Sequence, residues 1–152
     1  MKYYSVAFNS ERYHKELEEK VSLFTAKFMS DTKWLKLFTR LSQQDGLVKK
    51  CLIKHVWNDI PVEIVLPSPA HLNHTFYKKG IMDVITGGPM LFKEIEYISF
   101  PSTWAIPRKM RTEKLAPFEY TQDIIPIKKI IDETGTFEIE LQDGTLIVYG
   151  YR

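Results

Sequence analysis

The fold of this 152-residue chain is decided by residues 137–149, which read FEIELQDGTLIVY. Apolar and polar residues alternate on both sides of Asp143 and Gly144, and such alternation places successive side chains on opposite faces of a strand. An aspartate followed by glycine suits a two-residue turn in which both central residues take positive φ. The stretch therefore predicts a β-hairpin with strands at residues 137–141 and 146–149.

Two helices are predicted near the start of the chain. Over residues 9–29, apolar side chains recur every three or four positions, which is the spacing of one helical face. Ser30 and Asp31 suit the cap of a shorter second helix that ends near Gln43. The apolar stripes of the two helices are Tyr13, Leu17, Val21, Phe24 and Phe28, and then Trp34, Leu35, Phe38 and Leu41.

Between the helices and the hairpin, the sequence is typical of strands. Residues 52–56 and 62–66 are rich in β-branched and apolar side chains, and residues 91–100 alternate. Residues 127–131 fit either a further strand or a helix. Helices followed by strands predict one α+β domain over residues 1–152, in which two N-terminal helices pack on a mostly antiparallel sheet that ends in the C-terminal hairpin.

The composition excludes several classes of protein. Apolar residues make up 44% and charged residues 26% of the chain, values of a globular protein rather than a disordered or fibrous one. A single cysteine, Cys51, excludes an internal disulfide framework. Residues 1–9 lack a long apolar stretch, and no apolar run reaches membrane-spanning length. We therefore expect a cytoplasmic protein without a secretory signal and without a membrane partner.

The charge of the chain is modest but unevenly distributed. A net charge of +2 is too small to favour a nucleic acid as partner. Residues 119–152 hold three Lys or Arg against seven Asp or Glu, whereas residues 108–114 hold four basic residues. Residues 101–117 also contain three prolines, which favour a loop. A loop of this length is longer than an ordinary connection between two elements. This basic loop is our first candidate for contact with a partner.

Catalytic sites have weaker signals. His71 and His74 could act as general base and general acid in metal-independent cleavage of RNA, with Tyr77, Lys78 and Lys79 nearby. Two histidines within one polar loop also occur often by chance. The sequence has no Gly-x-Ser-x-Gly elbow and no P-loop. A small nuclease or hydrolase that uses these two histidines is the alternative hypothesis.

The two histidines, together with Cys51 and His55, also raise the question of a metal site. Cys51, His55, His71 and His74 are of the ligand types that zinc prefers. In a strand, however, Cys51 and His55 would lie about 13 Å apart, too far to bind one ion together. We predict no metal and no cofactor.

Three short motifs resemble those of an uncharacterised family of small bacterial proteins. They are Asp31-Thr32-Lys33-Trp34 at a helix start, Gly87-Gly88-Pro89 followed by Lys93-Glu94-Ile95-Glu96-Tyr97-Ile98, and Leu146-Ile147-Val148-Tyr149-Gly150-Tyr151 at the end. Tyr97 stands where the family's pattern has tryptophan, and the first helix lies outside the match. The resemblance implies no known reaction. In size and α+β pattern, the chain is also similar in type to bacterial immunity proteins that neutralise a toxin domain.

The leading hypothesis is a non-enzymatic protein-binding module, namely an immunity-type inhibitor that covers the active site of a toxin. An inhibitor needs a complementary surface with a few anchors, often aromatic residues or arginine. The predicted contacts are Trp104, Arg108, Lys109 and Arg111, with Glu138, Glu140 and Asp143 as a second patch. An oligomerising structural protein is a third hypothesis, and the oligomeric state stays open.

Overall fold

The computed structural model describes residues 11–67, 79–81, 90–110 and 113–152, with residues 109, 110, 113 and 114 as backbone alone. Within these ranges it has three helices, nine strands and antiparallel strand pairing throughout, so the predicted α+β class is confirmed. The helices are α1 (Glu11–Val21), α2 (Asp31–Ser42) and α3 (Ile124–Thr134). None of the described helices is long and apolar enough to cross a membrane.

A five-stranded antiparallel sheet forms the centre of the fold. Its strands are β1 (Cys51–His55), β2 (Val62–Ile64), β5 (Ile95–Pro101), β8 (Ile139–Gln142) and β9 (Thr145–Tyr149). Their order across the sheet is β2-β1-β5-β9-β8. The predicted strands at residues 52–56 and 62–66 correspond to β1 and β2, with ends that differ by one or two residues.

The predicted C-terminal hairpin is confirmed as β8 and β9. Asp143 and Gly144 take φ values of 50° and 74°, as a two-residue type I′ turn requires, and Gln142 pairs with Thr145 directly beside them. A Cβ added to Gly144 would lie 2.7 Å from Ser102 Oγ, so a close approach also favours glycine here. The hairpin is therefore fixed by its turn and by its packing.

The first helix is shorter than predicted. It ends at Val21, and residues 26–28 instead run antiparallel to the end of the chain. Ala26 and Arg152 exchange two backbone hydrogen bonds of 2.9 and 3.0 Å, and Phe28 N donates to Gly150 O at 2.9 Å. The apolar spacing at Phe24 and Phe28 therefore does not mark a helix. Phe24 N donates to Val21 O in a turn, and the backbone groups of residues 26 and 28 find partners at the end of the chain.

The second helix agrees with its sequence signals. Ser30 caps α2 by accepting a hydrogen bond from Lys33 N at 3.2 Å, and the helix ends at Ser42, one residue before the predicted end. Its predicted stripe is mostly buried, with Trp34, Phe38 and Leu41 in the core and Leu35 half-buried.

Residues 127–131, whose sequence fits either a strand or a helix, lie in α3. Asp123 caps this helix by accepting from Ile125 N at 3.0 Å. Ile127 and Ile131 are one turn apart on the buried face. The predicted pair of N-terminal helices on the sheet is thus correct only in part, because α3 packs beside α2 whereas α1 belongs to a separate small cluster.

The core lies between the sheet and the pair α2 and α3. Side chains from one sheet face, above all Ile53, Ile98, Phe100, Leu146 and Val148, are fully buried against both helices. The second cluster joins α1 to the end of the sheet through Leu17, Val56, Leu91 and Tyr151. Each Å² of apolar surface removed from water contributes roughly 25 cal/mol, so the burial of these side chains is the main source of stability.

The predicted strand at residues 91–100 is interrupted. Met90–Leu91 forms β4, which pairs with β3 (Gly80–Ile81), and Phe92–Glu94 makes one turn of 3₁₀ helix before β5 begins. The buried Glu94 side chain accepts a hydrogen bond from Leu91 N at 2.8 Å. This local bond competes with extended pairing, and the long strand begins only at Ile95.

The prediction of a long loop at residues 101–117 is wrong. Residues 103–110 and 113–117 belong to a second hairpin, formed by β6 (Thr103–Met110) and β7 (Glu113–Thr121). We call this hairpin the ribbon. Three prolines suggested a loop because proline lacks the N–H that a central strand needs. In a two-stranded sheet both strands are edges, so proline can be accommodated without loss of a ladder hydrogen bond.

Candidate partner-binding site

The ribbon is a two-stranded sheet separate from the central one. In the part of the chain that the structure describes, β6 and β7 pair with each other and with no third strand. An eight-residue strand spans roughly 26 Å at 3.3 Å per residue. One ribbon face carries Thr103, Ala105, Pro107, Pro117 and Glu119, all of them exposed. An isolated two-stranded sheet has little stability of its own, so this arm depends on how its base is held.

The opposite face of the ribbon is rich in large side chains. Alternation places Trp104, Ile106 and Arg108 on one side of β6, beside Phe118 and Tyr120 of β7. We call these five residues the aromatic face. Ile106, Phe118 and Tyr120 are 47%, 49% and 42% exposed, respectively, although side chains of these types are often buried in a core. A row of exposed apolar side chains marks an interaction surface more often than an isolated one does.

Aromatic and cationic contacts order this face. Trp104 and Tyr120 are direct cross-strand partners, with ring centroids 5.9 Å apart and planes 12° from parallel. The Arg108 guanidinium lies 4.2 Å from the centre of the Phe118 ring, and Lys50 Nζ lies 5.5 Å from that of Trp104. Such pairs each contribute on the order of 0.5–1 kcal/mol at exposed sites. The face is therefore partly organised before any partner binds.

A bulge interrupts the ribbon near its middle. Ile106 pairs with Phe118 and Arg108 with Leu115, so Pro107 faces two residues of β7, Ala116 and Pro117. Arg108 Nε donates a hydrogen bond to Ala116 O at 2.6 Å inside the bulge. The extra residue increases the local twist, and the bond fixes the position of Arg108 over Phe118.

A buried glutamine holds the base of the ribbon. The Gln122 side-chain oxygen accepts from Lys49 N at 2.9 Å and Lys50 N at 3.2 Å. Its amide nitrogen donates to Lys50 O at 2.9 Å and to Pro101 O at 2.7 Å. This amide thereby uses both donors and an acceptor to join β7 to the ends of β1 and β5, and it sets the direction in which the ribbon leaves the sheet.

The first group of predicted contact residues maps onto the ribbon. Trp104 and Arg108 lie on the aromatic face, and Lys109 is in β6 close to the tip. Arg111 lies outside the described residues. The sequence prediction omitted Ile106 and Tyr120 from the site, although the alternation at positions 104, 106 and 108 was a signal that could have found the face.

The second predicted group lies on and beside β8, where its two glutamates have partners. Arg152 contacts Glu138 at 3.4 Å and Glu140 at 2.8 Å, and Tyr149 Oη donates to Glu140 at 2.7 Å. Burial is the main cause that raises the pKa of Tyr149, and the hydrogen bond to the Glu140 carboxylate raises it further. Asp143 occupies the turn, next to the glycine whose carbonyl accepts from Ser102 N at the base of the ribbon. The acidic group thus extends along the sheet edge away from the ribbon base.

The cysteine and histidine candidates are not brought together in the described residues. Cys51 is buried in β1, where burial raises the pKa of its thiol and leaves it unreactive. His55 is half-buried, and burial lowers its pKa. His71 and His74 lie outside the described residues, so the nuclease hypothesis stays a prediction. Among the described side chains, no group of three or more metal-ligating residues forms a site.

Residues of the three short motifs have structural roles where they are described. Trp34 is buried in the core, and Tyr151 Oη donates to Lys93 O at 2.9 Å. Gly150 must be small because an added Cβ would lie 2.5 Å from Ile95 O. These residues position the chain end against β5. Residues 87–89 lie outside the described ranges.

Comparison with protein-family models, curated proteins and solved structures finds no match for this chain. The resemblance to small bacterial proteins therefore stays a prediction from the motifs alone.

Proposed function

We propose that the chain is a protein-binding module of the immunity type, which inhibits a toxin domain by inserting the ribbon into its active-site cleft. The observation that carries this proposal is the aromatic face of the ribbon. Tryptophan, tyrosine and arginine are the residues most enriched at binding hot spots, and this face holds one of each.

The shape of the ribbon supports insertion rather than contact with a flat surface. Specific complexes bury about 800 Å² on each partner, which is more than one face of a short hairpin provides. A cleft would contact both faces of the ribbon, and the described side chains on the opposite face are exposed as well. Insertion of an arm into a cleft also blocks access of substrate, which is the means by which an inhibitor acts.

The arm is partly preorganised, and this favours binding. Trp104, Tyr120, Arg108 and Phe118 already contact one another, so less side-chain entropy is lost when a partner binds. Gln122 fixes the base of the ribbon through four hydrogen bonds. A rigid arm with exposed anchors is what an inhibitor requires.

The proposal is tested by capture of a partner from lysate of the source cells. The baits are the unaltered protein, a ribbon variant with Ile106→Ser and Phe118→Ser, and a control with Leu23→Ser and Ile60→Ser. The control changes two exposed apolar side chains far from the ribbon in sequence. We expect the unaltered protein and the control to retain one stoichiometric partner and the ribbon variant to lose it.

A second measurement tests inhibition itself. The captured partner, expressed alone, should arrest growth, and co-expression of this chain should restore it. Equal capture by the ribbon variant would show that the ribbon is not the binding element. A partner that is harmless when expressed alone would contradict the immunity-type function.

A further inference from the structure

The central sheet ends on two edge strands, β2 and β8, which differ in how they are protected. Edge strands present unpaired backbone groups, and proteins blunt them with short length, proline, lysine or a bulge. β2 is three residues long and lies between Pro61 and Pro67. β8 contains neither proline nor lysine, and its register with β9 is continuous. Of the two edges, β8 is therefore the one open to a further strand.

The hydrogen bonds of β8 show which backbone groups face this open edge. The carbonyl of Glu138, directly before β8, accepts from Tyr149 N at 3.0 Å and so faces β9. In an antiparallel sheet, the backbone groups of successive residues point to alternate sides of the strand. Glu140 therefore also faces β9, whereas the N–H and C=O groups of Ile139 and Leu141 point away from it. In the described part of the chain, no strand pairs with this side of β8.

One face of β8 carries apolar side chains at the edge of the core. Ile139 pairs with Val148 and Leu141 with Leu146, and both residues of β9 are fully buried. Leu141, in contrast, is 60% exposed, because no strand of the described sheet lies beyond it. An apolar side chain on an added strand would extend this row and bury the exposed surface of Leu141.

The other face of β8 carries net negative charge. Glu138 and Glu140 lie on it, and Asp143 follows in the turn. Among the described side chains, Arg152 is the one cation in ion-pair contact with these carboxylates, at 3.4 Å from Glu138 and 2.8 Å from Glu140. Three acidic groups against one basic group leave an excess of two negative charges. Basic side chains on an added strand would complement this face.

A second copy of the chain is a poorer occupant of this edge. The antiparallel self-pairing that uses every outward-facing backbone group of β8 joins Ile139 of each copy to Leu141 of the other. In that register, Glu140 lies directly opposite its own counterpart. Like charges directly opposite one another destabilise a strand pair. The edge therefore favours a strand of different sequence.

We propose that β8 is a docking edge for an extended segment of a partner protein, in which apolar residues alternate with lysine or arginine. The segment adds a sixth strand to the central sheet. Its backbone hydrogen bonds to Ile139 and Leu141 contribute affinity, and its alternate side chains provide specificity. This edge belongs to a different hairpin from the ribbon, so the inference goes beyond the proposed function and does not depend on it.

The test uses a seven-residue peptide, blocked at both ends, in which three valines alternate with four lysines. Directly opposed residues share a face of a sheet, so valines would pair with Ile139 and Leu141 and supply the hydrogen bonds to β8. The probe carries N-methyl groups on three lysine amides, which leaves those bonds intact. A matched peptide carries them on the three valine amides, which removes the donors to β8. The two peptides have the same composition and charge.

Both peptides are titrated into the ¹⁵N-labelled full chain, and amide shifts are followed by NMR. We expect the lysine-methylated peptide to shift the amides of Ile139 and Leu141 and to slow their hydrogen exchange. The valine-methylated peptide should bind at least about tenfold more weakly, because it lacks the donors to β8. A probe with glutamate in place of lysine should bind at least about threefold more weakly, because it meets like charge.

Two variants make the test specific to β8. Leu141→Pro removes one N–H at the open edge and none that bonds to β9. Leu141→Lys keeps that N–H but replaces an apolar contact with a cation facing a cationic peptide. Each should weaken binding of the lysine-methylated peptide at least about fivefold. Ile60→Lys makes the same change of charge at an exposed position beside the opposite edge strand, and it should bind as the unaltered protein does.

Several outcomes would overturn the inference. The two methylated peptides could bind alike, the glutamate peptide could bind as tightly as the lysine peptide, or the shifts could lie away from β8. The absence of shifts at about 5 mM peptide would count equally against it. A dimer of the free chain that Leu141→Lys dissociates, measured by light scattering, would assign the edge to a second copy instead.

Failure of this inference can be told apart from failure of the proposed function. The ribbon variant with Ile106→Ser and Phe118→Ser should bind the peptide as the unaltered protein does. A peptide that does not bind to β8 therefore leaves the proposed role of the ribbon standing. A toxin partner that the ribbon variant still captures would refute that role and leave the docking edge standing.

Discussion

Two of the described hairpins, β8 with β9 and the ribbon, have similar local chemistry and different surroundings. In β8 and β9, apolar side chains such as Leu146 and Val148 are fully buried against the helices. In the ribbon, Ile106 and Phe118 occupy equivalent alternating positions but remain about half exposed. Alternation alone therefore identifies a strand with an apolar face, and it does not show whether that face contacts the core or a partner.

The difference lies in where each hairpin joins the sheet. β9 pairs with β5 over five register positions, and this pairing places its apolar side chains under α2 and α3. The ribbon leaves the sheet at Pro101 and is held at its base by Gln122. A hairpin that is displaced from the core in this way keeps a stable fold only because the rest of the domain supplies the stability. Its exposed apolar face is then available for binding.

The largest expected effect comes from matched truncations in the two hairpins. Leu146→Ala in β9 should lower the free energy of unfolding by about 4 kcal/mol, because it removes a fully buried side chain and leaves a cavity. Ile106→Ala in the ribbon should change it by less than about 1 kcal/mol. Urea unfolding of both variants measures the contrast. Similar losses at the two positions would show that the ribbon packs against the core.

The connection between the two regions can be broken at Gln122. Gln122→Leu removes the four hydrogen bonds of the amide and leaves backbone groups at Lys49, Lys50 and Pro101 without their partner. We expect a loss of about 3 kcal/mol in stability, because buried polar groups without partners are costly. Gln142→Leu, at an exposed position in β8, is the matched control.

Hydrogen exchange gives Gln122→Leu a second measurement. Amides of β6 and β7 should exchange faster in the variant, while those of β9 keep their protection relative to global unfolding. If the ribbon amides keep the same relative protection, the glutamine stabilises the fold without positioning the ribbon.

The sequence alone predicted the parts of the fold that local chemistry determines. The Asp143-Gly144 turn and the Ser30 cap each depend on neighbouring residues, and both were correct. The ribbon was missed because Pro107 and Pro117 are normally incompatible with a central strand. Their tolerance here depends on the absence of a third strand in the described sheet, which no local pattern reveals.

The candidate site was predicted only in part, because local patterns do not reveal long-range strand pairing. Trp104 and Arg108 were chosen for their residue types, and both lie on the aromatic face. Tyr120 was not chosen, because only the register between β6 and β7 places it beside Trp104. The partners of Glu138 and Glu140 were also hidden, since Arg152 reaches them from the far end of the chain. Long-range pairing, rather than residue type, limited the prediction.

The smallest expected effect comes from the pH response of Glu94, a buried carboxyl group directly before β5 in the central sheet. Burial raises the pKa of Glu94 to about 7, although the bond from Leu91 N favours the charged form. The folded state therefore holds a proton that the unfolded state releases above a pKa near 4.5, so the contribution of Glu94 to stability is present at low pH and lost as the pH rises through 7.

Between pH 5 and 7.5, the stability of the unaltered protein relative to Glu94→Gln should fall by about 2 kcal/mol. The difference between the two proteins isolates Glu94, because His55 is common to both and its lowered pKa acts in the opposite direction. Urea unfolding at several pH values measures both proteins. A slope that persists in Glu94→Gln would place the titrating group elsewhere.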